Sequence, residues 1–179
     1  MPRLSRFFLA WVALRLCAVH QAWVNSERAI PFLKSLRRDP GLPEWPAGVR
    51  IVVFDEDRHP APCHRLLRRA YSEGQGAVPD FDDWWQRLRN DAEYAADYTF
   101  VVLGDADQPV ALAQCWSSAF LKDFAVASDW RRRGLGTALM MHVFDAFRRN
   151  GFEALRLKVR AGNLPAIAFY ESLGMIREP

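Results

Sequence analysis

Residues Val126 to Gly136, Val-Ala-Ser-Asp-Trp-Arg-Arg-Arg-Gly-Leu-Gly, lead from an apolar run through three arginines and two glycines into a helix-favouring stretch. The first backbone N–H groups of a helix have no partner within it, and the helix dipole is positive there. Gly134 and Gly136 would let a diphosphate approach closely, and Arg131, Arg132 and Arg133 would add charge, which together describes an anion cradle. A plain strand-to-helix turn beside a solvated arginine patch fits the same residues. The segment is neither the GxGxxG dinucleotide fingerprint nor a Walker A loop, whose Lys-Ser/Thr pair it lacks. Other chemistries find less support. Cys17, Cys63 and Cys115 are odd in number and form no CxxC pair, which points to a reducing compartment and a cytoplasmic chain. Cys115, inside the apolar run from Ala111 to Trp116, reads as a buried structural thiol. His20, His59, His64 and His142 make no HxH, HxxxH or HExxH pair, so no metal site is expected.

These residues must be held by a fold. With 179 residues, 50% hydrophobic and 25% charged, the chain is long enough for one domain with a core that needs neither disulfides nor metal. The net charge of +3 divides unevenly. Residues 1–50 carry eight Lys/Arg against three Asp/Glu, and residues 51–179 carry sixteen against eighteen. The slightly acidic body argues against nucleic acid as a partner. Arg3 and Arg6 ahead of Phe7 to Leu14 resemble the start of a signal peptide. Arg15 interrupts that run, however, no small-x-small site follows, and the stretch is too short to span a bilayer. Phe8, Val12, Leu16, Val19 and Trp23 instead recur at helical spacing, as an amphipathic helix would, with an irregular extension as the alternative. Residues 39–48, with three prolines and two glycines, read as a linker. The organisation is therefore an N-terminal segment over 1–49 and a folded domain over 50–179.

Within the domain, Arg50 to Phe54 reads as a strand and Pro60 to Tyr71 as a helix. A glycine-bearing loop over 72–79 follows, then a second helix capped by Asp80 and ending near Leu88. Strands follow at Tyr98 to Leu103, Val110 to Trp116 and Phe120 to Val126. Thr137 to Arg149 is a helix closed by Gly151. Leu155, Leu157 and Val159 alternate with charged residues as a half-buried strand does, and Leu164 to Leu173 forms the last helix. The order βααβββαβα describes an α/β (α+β) fold.

Arg131-x-x-Gly134-x-Gly136 after a strand resembles the acyl-CoA pyrophosphate loop of the GCN5-related N-acetyltransferase (GNAT) superfamily. Asn163-Leu-Pro-Ala-Ile-Ala-Phe-Tyr170-Glu-Ser-Leu-Gly174-Met resembles that superfamily's C-terminal signature, one helix and one strand further on. The likeness covers roughly residues 50–176. It implies a mixed, mostly antiparallel central sheet with helices on both faces, and an acetyl-CoA-dependent N-acetyltransferase. Main-chain groups of Phe124 and Val126 would then pair with the pantetheine arm as another strand does. The residues from Arg131 to Thr137, Leu135 included, would hold the pyrophosphate. Asn163, Ala166 and Phe169 would line the pantetheine region, and Tyr170 would protonate the departing thiolate. The transfer would be a direct attack by an amine, with no covalent enzyme intermediate.

The general base is less well marked. Asp123 is on the right strand, but strict alternation turns it away from Phe120, which stands where some family members keep a catalytic Glu. In this family the acceptor pocket is walled by the first two helices and their loop. Asp80, Asp82, Asp83, Trp84 and Trp85 would suit a cationic amine there, or simply start a helix in water with one Trp in the core. Family members also continue through two more strands, whereas this chain stops five residues after Gly174, so the last strand is missing. The N-terminal segment or a second subunit in a homodimer would complete the sheet, or its edge stays short. The competing readings are a non-catalytic acyl-CoA-binding or protein-interaction module of the same fold and, third, an acyltransferase anchored to a membrane by Phe7 to Trp23.

Overall fold

The computed structural model describes residues 29–72 and 77–178. The signal-like run, the amphipathic pattern from Phe8 to Trp23, Cys17 and His20 lie outside the described residues, as does part of the loop after Tyr71. The elements in chain order are β1 (Ala29–Ser35), β2 (Arg50–Val53), α1 (Pro60–Tyr71), α2 (Phe81–Arg89), β3 (Tyr94–Leu103), β4 (Pro109–Trp116) and β5 (Phe120–Val126). After a 3₁₀ turn (Ser128–Trp130) come α3 (Leu135–Arg149), β6 (Ala154–Arg160), α4 (Leu164–Ser172) and β7 (Ile176–Arg177). One sheet runs in the order β2-β3-β4-β5-β6-β1-β7. All neighbours in it are antiparallel except β5 and β6, which are parallel.

Local chemistry accounts for most boundaries. Pro60 opens α1, where a missing N–H costs nothing, and the His59 ring nitrogen Nδ1 accepts from the Asp55 amide at 2.8 Å. Asp80 occupies the N-cap of α2 in extended geometry but makes no side-chain capping bond, so the first turn relies on the acids Asp82 and Asp83. Gly134 takes a left-handed conformation, φ 82°, and α3 begins at Leu135, two residues before the expected Thr137. Two apolar layers cover the sheet. Cys63, Leu67, Trp84 and Leu88 of α1 and α2 pack on Val101, Leu112 and Ala125 on one face. Leu139, Phe144 and Phe147 of α3, with Ile167 and Tyr170 of α4, pack on Val102, Ala113 and Leu157 on the other.

Two features correct the sequence reading. The sheet begins at Ala29, not Arg50. β1 pairs with all seven residues of β6, and β7 pairs with Phe32 and Leu33 of β1. The N-terminal side therefore extends the sheet beyond β6, one of the alternatives that the sequence left open. Phe32 is wholly buried, and Lys34 Nζ donates to the Leu173 carbonyl at 2.6 Å, placing a cation at the carbonyl end of α4.

The second correction lies in β5. Gln114 faces Asp123, but Cys115 faces Leu121, so Lys122 is the extra residue of a β-bulge. A bulge resets alternation. Directly paired residues share a face, and Gln114 and Trp116 lie two apart on β4, so Asp123 falls on the same face as Phe120 and not opposite it. That face is the one covered by α1.

Removing the Phe32 ring leaves a cavity between β1 and α4. Phe32→Ala is expected to lower unfolding free energy by about 3–5 kcal/mol, read as a shift of the urea midpoint at constant m-value. A loss under 1 kcal/mol would place β1 outside the cooperative core.

Candidate active site

Parallel pairing between β5 and β6 is confined to Phe120↔Arg156 and Leu121↔Leu157. Beyond those two rungs the strands diverge, while β5 stays paired to β4 and β6 to β1 on their outer sides. The gap opens a cleft of about 630 Å³ lined by both strands, the glycine turn, α4 and the end of α1. The Ala127 amide donates to the Val110 carbonyl on β4. By alternation the main-chain groups of Phe124 and Val126 then face the gap, an unpaired strand edge of the kind an extended ligand can complete.

The wide end of the cleft is electropositive. Arg131, Arg132, Gly134, Gly136 and Thr137 line it at the N-terminus of α3. A Cβ built on Gly134 meets nothing within 4 Å, so the turn leaves open space in front of the first amides of the helix. At Gly136 a Cβ would stand 3.4 Å from the Phe169 ring and 3.6 Å from Val126, in ordinary van der Waals contact with both walls of the cleft. Arg131 Nε donates to the Val126 carbonyl at 3.2 Å, so one of the two gap-facing carbonyls has a partner within the loop. These features fit a diphosphate followed by an extended amide-bearing chain.

The narrow end, where the strands meet, gathers hydroxyls and a carboxylate. Tyr170 is buried and lines the cleft from α4, its ring 6.4 Å from that of Phe124. Burial first, then the neighbouring Cys115 and Asp123, hold its phenol well above the usual tyrosine pKa, so it stays protonated. Phe169 stacks on Phe124 at 5.7 Å. Asn163 lines the cleft and also caps α4, its Oδ1 accepting from the Ala166 amide at 3.2 Å. On the opposite face of the sheet gap, Asp123 accepts from Tyr71 at 3.2 Å and from Lys122 at 2.5 Å.

The structure thus brings Phe124, Val126, Arg131, Arg132, Gly134, Gly136, Thr137, Asn163, Ala166, Phe169, Tyr170 and Asp123 to one cleft. It does not bring the others. Leu135 is a fully buried core residue, so only its backbone belongs to the turn, and the Arg133 guanidinium lies over the Trp130 ring, away from the cleft lining. Trp84 is buried against His64, Phe81 and Trp85, where it anchors α2, while Trp85 packs on Phe54 and Tyr94. Asp80 is exposed at the helix start. None of these three reaches the cleft. Of the wall expected over the first two helices and their loop, from Tyr71 to Asp83 with Trp84 and Trp85, Tyr71 at the end of α1 does line the cleft. Cys115 is fully buried, and burial raises its thiol pKa far above normal; Cys63 is likewise pushed up to about 12. Among the described residues no His/Cys/Asp/Glu group could hold a metal ion, and no helix is long and apolar enough to cross a membrane.

Comparisons with known proteins point to one family. Over 56 residues the chain is 50% identical to the ribosomal protein bS18-alanine N-acetyltransferase of Escherichia coli K12, a match spanning 31% of this chain and 38% of that enzyme. It is 38% identical over 105 residues to streptothricin acetyltransferase A of Bacillus subtilis, covering 56% of this chain and 61% of that one. A GCN5-related N-acetyltransferase from Sphaerobacter thermophilus shares the fold with a TM-score of 0.72 at 20% identity, over 84% of this chain and 48% of the other. The chain therefore spans less than two-thirds of each relative's length. A model of the acetyltransferase (GNAT) family matches residues 60–175, from the start of α1 to the turn after α4. That stretch contains both walls of the cleft, and the chain belongs to the acetyltransferase (GNAT) family.

Proposed function

We propose that this chain transfers an acetyl group from acetyl-CoA to a primary amine, on a small molecule or a protein, by direct attack within a ternary complex. The observation that carries this reading is the gap between β5 and β6, with an anion-binding turn at its wide end and a buried, protonated phenol at its narrow end. The amides from Arg131 to Thr137 receive the pyrophosphate, and the Phe124 and Val126 main chain orders the pantetheine arm. Asn163, Ala166 and Phe169 close the α4 side. Acetyl-CoA supplies the acyl group already activated as a thioester.

The two faces of the gap divide the proton work. On the α1 face, Asp123 takes a proton from the ammonium form of the acceptor, directly or through water. Tyr71 and Lys122 occupy two of the roughly four acceptor sites of its carboxylate, which leaves capacity for that step. The Phe124 amide meets the negative charge that develops on the carbonyl oxygen as the C–N bond forms. On the α4 face, Tyr170 gives its proton to the sulfur as the C–S bond breaks. The tyrosinate formed is restored by the proton that the acceptor released.

Calorimetric titration with acetyl-CoA, followed by thiol release across a panel of amines, tests the reading. Binding with amine-dependent release is expected; binding without release would leave an acyl-CoA-binding module. Tyr170→Phe is expected to lower kcat about 100-fold while acetyl-CoA affinity stays within about twofold. Gly134→Trp fills the space in front of the α3 amides and is expected to weaken CoA binding at least about tenfold; equal loss of affinity in both variants would overturn the two roles. A phenol whose pKa is raised stays protonated as pH climbs past its ordinary value. A pH profile of kcat should accordingly show no descending alkaline limb below about pH 10.

A further inference from the structure

The chain carries three lysines, Lys34, Lys122 and Lys158, against twenty-one arginines. An arginine stays charged at any pH a folded protein withstands, so amine nucleophiles are scarce in this chain. Two of the three lysines line the cleft. The last parallel rung joins Leu121 to Leu157, and Lys122 and Lys158 are the next residues on the two diverging strands, at the narrow end. Lys34 is engaged elsewhere, its Nζ donating to the Leu173 carbonyl at 2.6 Å.

Lys122 differs from Lys158 in what holds it. Its Nζ donates to Asp123 Oδ2 at 2.5 Å and lies 5.5 Å from the centre of the Trp116 ring, which belongs to the apolar layer on the α1 face. Adjacent residues of a regular strand point to opposite faces, whereas the bulge lets Lys122 and Asp123 meet on one. An ammonium ion therefore already stands against the carboxylate that serves as base in the proposed transfer. The Lys122 side chain is 32% exposed, so a thioester in the cleft can reach its amine. Lys158 is exposed on β6. Tyr170 lines the cleft from the other face, its ring 6.4 Å from that of Phe124, two residues beyond Lys122. Base, amine and acid thus surround the depth at which an acyl group carried in from the glycine turn comes to rest.

We propose that Lys122 is a self-acetylation site: with acetyl-CoA bound and no acceptor present, the chain transfers the acetyl group to its own Lys122 Nζ. The proposal rests on the transferase reading and adds to it a substrate within the chain. Asp123 takes one proton from the Lys122 ammonium, and the freed lone pair attacks the thioester carbonyl. A C–N bond forms, the C–S bond breaks, and the sulfur leaves with the Tyr170 proton. The second proton lost by nitrogen restores the tyrosinate, and Asp123 releases its own to water. The products are Nε-acetyl-Lys122 and CoA. The amide formed carries no charge, so it ends the ion pair with Asp123 and the cation contact with the Trp116 ring.

The test incubates the full chain with acetyl-CoA alone and follows intact mass and peptide maps, beside amine-dependent thiol release in the same preparation. One acetyl group per chain is expected, on Lys122 ahead of every other amine, at a rate per molecule independent of chain concentration. Lys122→Arg, which keeps a cation against Asp123 but offers no amine, is expected to take up no acetyl group in the same time. Tyr170→Phe is expected to slow the modification about 100-fold, as it slows turnover. Spontaneous acetylation of exposed amines would mark Lys158 at least as fast as Lys122 and would ignore Tyr170. Either result overturns the proposal, as does undiminished uptake by Lys122→Arg or a rate that rises with chain concentration. An unmodified Lys122 in a preparation that acetylates an amine also overturns it and leaves the transferase reading intact, whereas the absence of both modification and amine turnover removes both.

Discussion

Two rungs of parallel pairing between β5 and β6, followed by divergence, set the terms for the rest of the molecule. A strand that stops pairing inside a fold exposes amides and carbonyls that must find partners or incur a penalty of about 1–3 kcal/mol each. A nearby group already meets part of this demand. Arg131 reaches back to the Val126 carbonyl. An unfinished sheet edge with such a replaceable partner is well suited to an extended ligand carrying its own amides, which would bond the groups left facing the gap.

Divergence on one side of β6 requires a firm hold on the other. β1 supplies it through seven consecutive pairs, with Phe32 buried beneath α4 and Lys34 bonded to the last turn of that helix. The same helix carries Tyr170, whose ring lies 6.3 Å from Phe32. The strand that completes the sheet therefore also fixes the phenol on the donor face. A loose β1 would loosen the narrow end of the cleft before it unfolded the sheet.

Much of this was legible in the sequence, and what was hidden has identifiable physical causes. The antiparallel strands, the helix after the glycine turn and the Asn163 to Gly174 element announce themselves by alternation, capping residues and glycine stops. β1 does not. In Ala-Ile-Pro-Phe-Leu-Lys-Ser the face of Ile30 and Phe32 also carries Lys34 while Leu33 lies on the other, which blurs the period of two, and Pro31 argues locally against a strand. The bulge at Lys122 carries no glycine or proline to mark it, and without it Asp123 is assigned to the wrong face. Trp84 and Trp85 drew attention by type, yet a large ring beside a buried His64 is what anchors a short helix. Tyr71 could be placed in the expected wall after the first helix, but not beside Asp123, because the partner of its hydroxyl stands 52 residues further along the chain.

On the proposed reading the donor and acceptor halves of the cleft differ in what they are made of, and this bears on substrate choice. The donor half is largely backbone: gap-facing amides, the first turn of α3 and glycines that admit a phosphate. Such a surface tolerates wide sequence change so long as the strand edge and the turn survive. The acceptor half is made of side chains, Tyr71, Lys122 and Asp123, brought together by one bulge and one helix end. Relatives whose names specify a ribosomal-protein alanine and streptothricin differ on the acceptor side while both transfer acetyl groups. On that reading specificity belongs where α1 meets the bulge of β5, since a change of one residue in the length of that bulge would turn Asp123 to the other face of the strand and leave the glycine turn in place.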